Sequence, residues 1–199
     1  MGTTPDSGGY LLFDTPIGHC GLAWGTAGII GVLLPEADEE ATRRRMQMRH
    51  PMLPEAGGLP ASGQAQAVPA FAGEAVIRIR QLLQGRKDRL LDLPLDMSGV
   101  PPFHRRVYLL VREVGPGSTT TYSEVAGLLG EPGAARAVGQ ALGRNPFAPV
   151  VPCHRVLAAA GGTPGFRPGG FSAGGGVATK LRMLQIEGAR LSRTPGLFD

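Results

Sequence analysis

Residues 96–102 read Asp-Met-Ser-Gly-Val-Pro-Pro, a run without hydrophobic period in which turn-forming residues dominate, and the patterns on either side of it call for different architectures. Placing the boundary there gives an amino-terminal half, 1–99, and a carboxy-terminal half, 100–199. In the first half, apolar runs at 10–13, 17–24 and 28–34 are separated by Asp14-Thr15-Pro16 and Gly25-Thr26, which predicts a small antiparallel sheet. Pro35 opens a charged helical stretch through Met48, and 51–68, rich in Pro, Gly and Ala, reads as a surface loop. A helix is expected over 69–84, where Phe71, Ala75, Ile79, Leu82 and Leu83 recur at helical spacing before Gly85, and a strand over 90–95.

The second half is expected to be mostly helical. Phe103, Val107, Leu110, Val111 and Val114 mark one helix, ended by Gly115-Pro116-Gly117. Two short helices follow, 122–129 and 133–142, separated by Gly130-Glu131-Pro132 at the spacing of a helix-turn-helix. A last helix covers 179–187, with Leu181, Leu184 and Gln185 on one side. The fold class read from this order is α/β of the α+β kind: a small antiparallel-sheet domain joined to a winged-helix-like domain.

The composition, 42% hydrophobic and 18% charged, is that of a folded globular protein. No stretch approaches the roughly 20 apolar residues of a membrane span, and MGTTPDSGGY has neither the basic and apolar regions of a secretory leader nor, with Asp6, a myristoylation signal. A cytoplasmic setting is therefore expected, with Cys20 and Cys153 as free thiols. Two cysteines cannot build a thiolate-rich zinc site, and Gly169-Gly170 and Gly174-Gly175-Gly176 lack the Lys-Ser/Thr ending of a phosphate-binding loop, so neither metal nor cofactor is expected. The net charge of +4 suits a polyanionic partner.

Two features carry chemistry. The second helix of the pair holds Ala134, Ala135, Ala137, Gly139, Ala141 and Gly143 around a single long basic side chain, Arg136. Small residues let a backbone come close to something. A helix reading bases in the major groove presents several long polar side chains, so this one fits better against a minor groove, with Arg136 filling the place of an extruded base. A tightly packed internal helix with Arg136 in solvent accounts for the same pattern. The second feature is Asn145-Pro146 followed by Pro152-Cys153-His154-Arg155-Val156. An imidazole near a thiol favours the nucleophilic thiolate, but adjacent residues seldom point the same way, so a bridging water or a turned backbone is required.

Taken together, Thr121-Tyr122-Ser123-Glu124-Val125-Ala126, Ala135-Arg136-Ala137-Val138-Gly139, Asn145-Pro146, Pro152-Cys153-His154-Arg155-Val156 and Gly170-Phe171-Ser172 resemble, in order and spacing, the O6-alkylguanine-DNA alkyltransferases, also termed methylated-DNA-protein-cysteine S-methyltransferases. The resemblance covers 103–191 closely and 10–95 loosely. It implies a repair protein acting once on double-stranded DNA as a monomer, taking the alkyl group of a flipped O6-alkylguanine onto Cys153. By the same resemblance, His154 acts as base through a water, Glu187 orients the imidazole, and Tyr122 donates to the guanine N3. DNA contact falls to Ala135, Arg136 and Tyr122. Asn145 is the implied hinge, and Leu142, Val156, Phe171 and Ser172 complete the substrate surround.

Phe171 stands where relatives commonly carry tyrosine, 173–176 look lengthened, and Gln140 replaces a second small residue. A thioether has no acyl bond to hydrolyse, which accounts for a single turnover without cofactor. Three other classes use some of these features: a damage sensor without transfer, a Cys-His amidase or peptidase, which requires an oxyanion hole and turnover, and a sequence-specific winged-helix regulator.

Overall fold

The computed structural model describes residues 8–57, 67–159 and 166–189. Strands β1 (Gly9–Thr15), β2 (Gly18–Gly25) and β3 (Gly28–Leu33) form an antiparallel meander in the order β1-β2-β3, as the three apolar runs predict. Both faces of this sheet are covered. On β2, Cys20, Leu22 and Trp24 face the main core, while Ala23 joins Tyr10, Leu33 and Met46 in a smaller cluster on the other side. Helix α1 (Glu39–Arg49) supplies Met46 to that second face, and a Cβ at Gly21 would lie only 2.7 Å from its sulfur, so the bare backbone there sets how closely helix and sheet approach. The helix begins later than Pro35 because Asp38 caps it, its carboxylate accepting from the Ala41 amide at 2.7 Å.

Helix α2 (Ala70–Leu82) buries Ala72, Ala75, Ile79 and Leu82 in the main core. The loop expected over 51–68 falls partly on 58–66, outside the described residues. The strand expected over 90–95 does not form. Leu90 has φ 55°, and the Arg112 guanidinium takes the carbonyls of Leu90 and Leu91 at 2.7 Å. Carbonyls spent on a side chain cannot build a ladder, and only an isolated bridge from Leu95 to Ile29 remains.

In the second half, α3 (Pro102–Arg112) buries Val107, Tyr108 and Val111. β4 (Thr120–Thr121) leads into α4 (Tyr122–Leu128), whose start is fixed by a capping box between Thr121 and Glu124. α5 (Ala135–Gly143) packs Val138, Ala141 and Leu142 inward, and the Tyr108 hydroxyl donates to the Ala141 carbonyl at 2.8 Å. A 3-10 turn over Cys153–Arg155 runs into β5 (Val156–Ala159), which pairs parallel with β4 and antiparallel with β6 (Phe166–Arg167). α6 (Gly176–Ile186) closes the described chain.

The inward side of α6 is Lys180, Met183 and Leu184, not the expected Leu181, Leu184 and Gln185; Leu181 and Gln185 are exposed. A lysine whose ammonium has a buried carbonyl to meet turns the helix by about one residue, roughly 100°. The two halves share one apolar core and are tied by the Val32 amide, which donates to the Pro146 carbonyl at 2.7 Å.

Candidate active site

A cavity of about 870 Å³ opens between α4, α5, the Cys153 turn and the 169–172 loop. One side of α5 lines it with Ala135, Arg136, Gly139, Gln140 and Gly143, while the helix's branched residues face the core. Arg136 is exposed and, among the described residues, makes no ion pair. Tyr122, the first residue of α4, lines the opposite wall, half-buried, its hydroxyl 3.3 Å from where a Cβ on Gly169 would sit. That close approach, at φ +69°, favours glycine. Phe171 and Ser172 complete the rim, and Leu142, though buried, reaches the wall.

Cys153 lines the floor with 8% of its surface exposed. Asn145 folds the preceding chain into place: its side-chain amide donates to the Val151 carbonyl at 2.7 Å, and its carbonyl oxygen accepts from the Phe147 amide at 3.0 Å. Burial pushes the Cys153 thiol above its ordinary value, against the opposing pull of Asn145 and the Lys180 ammonium. The other cysteine differs in kind. Cys20 is fully buried in the sheet, pushed up to about 12 by burial, with Thr15 as its polar neighbour.

Behind the thiol lies a charged cluster with no counterpart elsewhere in the described core. Nε2 of His154 is 3.0 Å from Oε1 of Glu187, and the Arg155 guanidinium reaches the same carboxylate at 2.7 Å while donating to the Val114 carbonyl. Burial alone would raise the Glu187 pKa, but His154 and Arg155 outweigh it and hold the carboxyl at about 2. Burial, with the nearby Arg155 and Lys180, pushes His154 below its ordinary value despite Glu187. At neutral pH the pair is therefore a neutral imidazole and a carboxylate. The carboxylate can only accept, which assigns the proton to Nε2 and a lone pair to Nδ1. Among the described residues Nδ1 is buried without a partner, and no hydrogen bond joins the His154 imidazole to the Cys153 thiol, which is met instead by the backbone of His154.

Sequence pattern did not single out Lys180 or give Arg155 a role. Lys180 is fully buried, donates to the Val156 carbonyl at 2.7 Å, and sits 5.9 Å from the centre of the Tyr122 ring. Burial lowers its pKa to about 8, with Cys153 acting the other way. Its rarity was the available signal, since it is one of two lysines against eighteen arginines. Val156 itself is buried on β5, next to the site through its carbonyl and not on the cavity wall.

A buried thiol beside a neutral imidazole backed by a carboxylate, at the foot of a cavity walled by a nearly bare helix, defines a cysteine-centred protein able to take a group from something inserted between α4 and α5. Residues 102–189 match the family model described as 6-O-methylguanine DNA methyltransferase, DNA binding domain. The chain is 34% identical over 191 residues to a methylated-DNA--protein-cysteine methyltransferase of Mycobacterium tuberculosis, covering 96% of this chain and 98% of that one. Its fold is similar to the crystal structure of Mycobacterium tuberculosis OGT in complex with DNA (TM-score 0.66, 30% identity, 96% and 99% of the two chains). It is also similar to the O6-methylguanine-DNA methyltransferase of Pyrococcus kodakaraensis (TM-score 0.67, 27% identity, 90% and 99%). The chain belongs to the methylated-DNA--protein-cysteine methyltransferase family.

Proposed function

We propose that this protein repairs DNA by direct reversal, moving the alkyl group of O6-alkylguanine onto Cys153 in a single, irreversible turnover. The observation that carries the reading is the thiol on the cavity floor backed by His154 and Glu187. In this reading 100–199 bind DNA and carry out transfer, 1–99 support them, and one chain acts alone. α4 and α5 serve as the helix-turn-helix, with α5 in the minor groove and Arg136 replacing a guanine turned out into the cavity.

The Sγ–carbon bond forms as the O6–carbon bond breaks. The thiol proton passes through a water to Nδ1 of His154, whose charge Glu187 stabilises. The electron pair of the broken bond stays with the base, and the Tyr122 hydroxyl, held near its neutral form by burial and the neighbouring Cys153, supplies a proton to N3 so that a neutral guanine leaves. Solvent returns the proton held on His154 to the tyrosine. Phe171 and Ser172 close over the base, and Asn145 keeps α5 in register with the thiol.

Incubating the protein with duplex DNA containing O6-methylguanine and mapping the added mass by peptide mass spectrometry tests this directly. One methyl per protein on the Cys153 peptide, lost in Cys153→Ala with DNA binding retained, is the expected result. Mass on another residue rejects the acceptor; no transfer points to a damage sensor, and continued turnover to a hydrolase.

A further inference from the structure

A second cavity, of about 250 Å³, lies where β3 and the end of α1 meet the end of α5, and its lining includes Arg49, His50 and Arg144 but no carboxylate. Arg43, Arg78, Arg106 and Arg155 each hold a carboxylate at 2.6 to 2.7 Å. Among the described residues, the side chains of Arg49 and Arg144 make neither a hydrogen bond nor an ion pair, and both residues are exposed. Packing against its neighbours, and then Arg45, push the Arg49 pKa down, and Glu36 opposes this only in part. Two arginines whose guanidiniums hold no ion pair thus line one small space that is tightly packed on its β3 side, where a Cβ on Gly31 would lie 2.9 Å from the His50 ring.

Position relates this space to the acceptor cavity. Gly143 lines both, and Arg49 also lines the narrow cleft that contains Cys153, Phe171 and Ser172. Arg144 follows Arg136 by eight residues, about 12 Å along a helix axis. A minor groove is about 6 Å wide, so a helix that places Arg136 within the groove carries Arg144 out to the phosphates of its wall.

We infer that Arg49 and Arg144 together clamp one phosphate of the DNA backbone, so that the amino-terminal half, through α1, takes a direct part in holding the duplex. This rests on the proposed function. A phosphate group is the shared chemistry, and the sources to be separated are the DNA backbone and free inorganic phosphate.

The experiment uses the full chain, its Arg49→Ala and Arg144→Ala variants and the double variant, with binding to an O6-methylguanine duplex measured across a salt series and reaction with free O6-benzylguanine run in parallel. Each single variant is expected to weaken duplex binding about 3- to 10-fold and to reduce the salt slope by about 0.9, the value for one phosphate. Because the phosphate is shared, the double variant should lose little more than either single one. Reaction with the free base should not change in Arg144→Ala, whose side chain lines neither space that contains Cys153. Unaltered salt slopes in both single variants overturn the clamp, as does full additivity of two independent losses. Thermal protection of the wild type by inorganic phosphate that is lost in Arg49→Ala, with the DNA slope unaltered, overturns the DNA source. Failure of Cys153 to take an alkyl group from either substrate counts instead against the proposed function.

Discussion

Nε2 of His154 and Oε1 of Glu187 stand 3.0 Å apart inside the protein, leaving Nδ1 of the same ring buried and without a partner among the described residues. The carboxylate is itself held by Arg155, so the imidazole is oriented by a group that cannot rotate away without breaking a second ion pair.

This pairing sets the pH dependence of transfer. If the thiol gives its proton to a neutral His154, the rate depends on the combined thiol and imidazole state. It should then be flat from about pH 8 down to 6.5 and fall only below the ordinary histidine range, because the His154 pKa is lowered. A thiolate formed independently, with the thiol pushed upward, would instead give a rate climbing about tenfold per pH unit over that window. Single-turnover rates on a methylated duplex across pH 5.5 to 8.5 distinguish the two.

Glu187 contributes to acid stability. Its folded pKa, about 2, lies below the ordinary value of 4.5, so between these limits the unfolded chain binds the proton more readily and stability falls as pH drops. The contribution is complete above about pH 4.5 and amounts to about 3 kcal/mol. Urea denaturation of Glu187→Gln between pH 5 and 2 should lack this step, and a variant that loses as much as the wild type would remove Glu187 as its source.

Arg136 is exposed on the cavity side of α5, where it supports nothing in the core. Arg136→Ala should leave the free energy of unfolding within about 0.5 kcal/mol of wild type. It should slow repair of duplex DNA by about 10- to 100-fold through loss of the group that fills the vacated stack. Reaction with free O6-benzylguanine should be unaltered. Equal loss on both substrates would remove its role as a replacement for the flipped base.

Asn145 makes two hydrogen bonds that fold the 145–151 segment. Asn145→Ala leaves the buried Val151 carbonyl without its donor and should cost about 1 to 3 kcal/mol in urea denaturation. The free-base reaction should slow as well, since the same side chain lowers the thiol pKa. Unchanged stability would show that the turn holds its shape without the side chain.

Much of this was legible before any coordinates. The meander follows from apolar runs separated by turns, and the α4 start from Thr121 with Glu124, because these signals lie within a few residues of each other. The 90–95 strand failed for the opposite reason, since its carbonyls are taken by Arg112, about twenty residues away. The inward face of α6 differs from its local pattern for the same reason, because Lys180 has the character of a surface residue and is buried only through the Val156 carbonyl that receives it.

Local pattern alone determined the elements, the small-residue face of α5 and the motif surrounding Cys153, all of which depend on neighbours along the chain. Tertiary structure decided that Arg155 and Lys180 are interior charges, that Glu187 meets His154 across 33 residues, and that Arg49 and Arg144 line one cavity. The physical reason is that a charge can be buried only where its counter-charge or carbonyl is brought by another element, and no local spacing records that meeting.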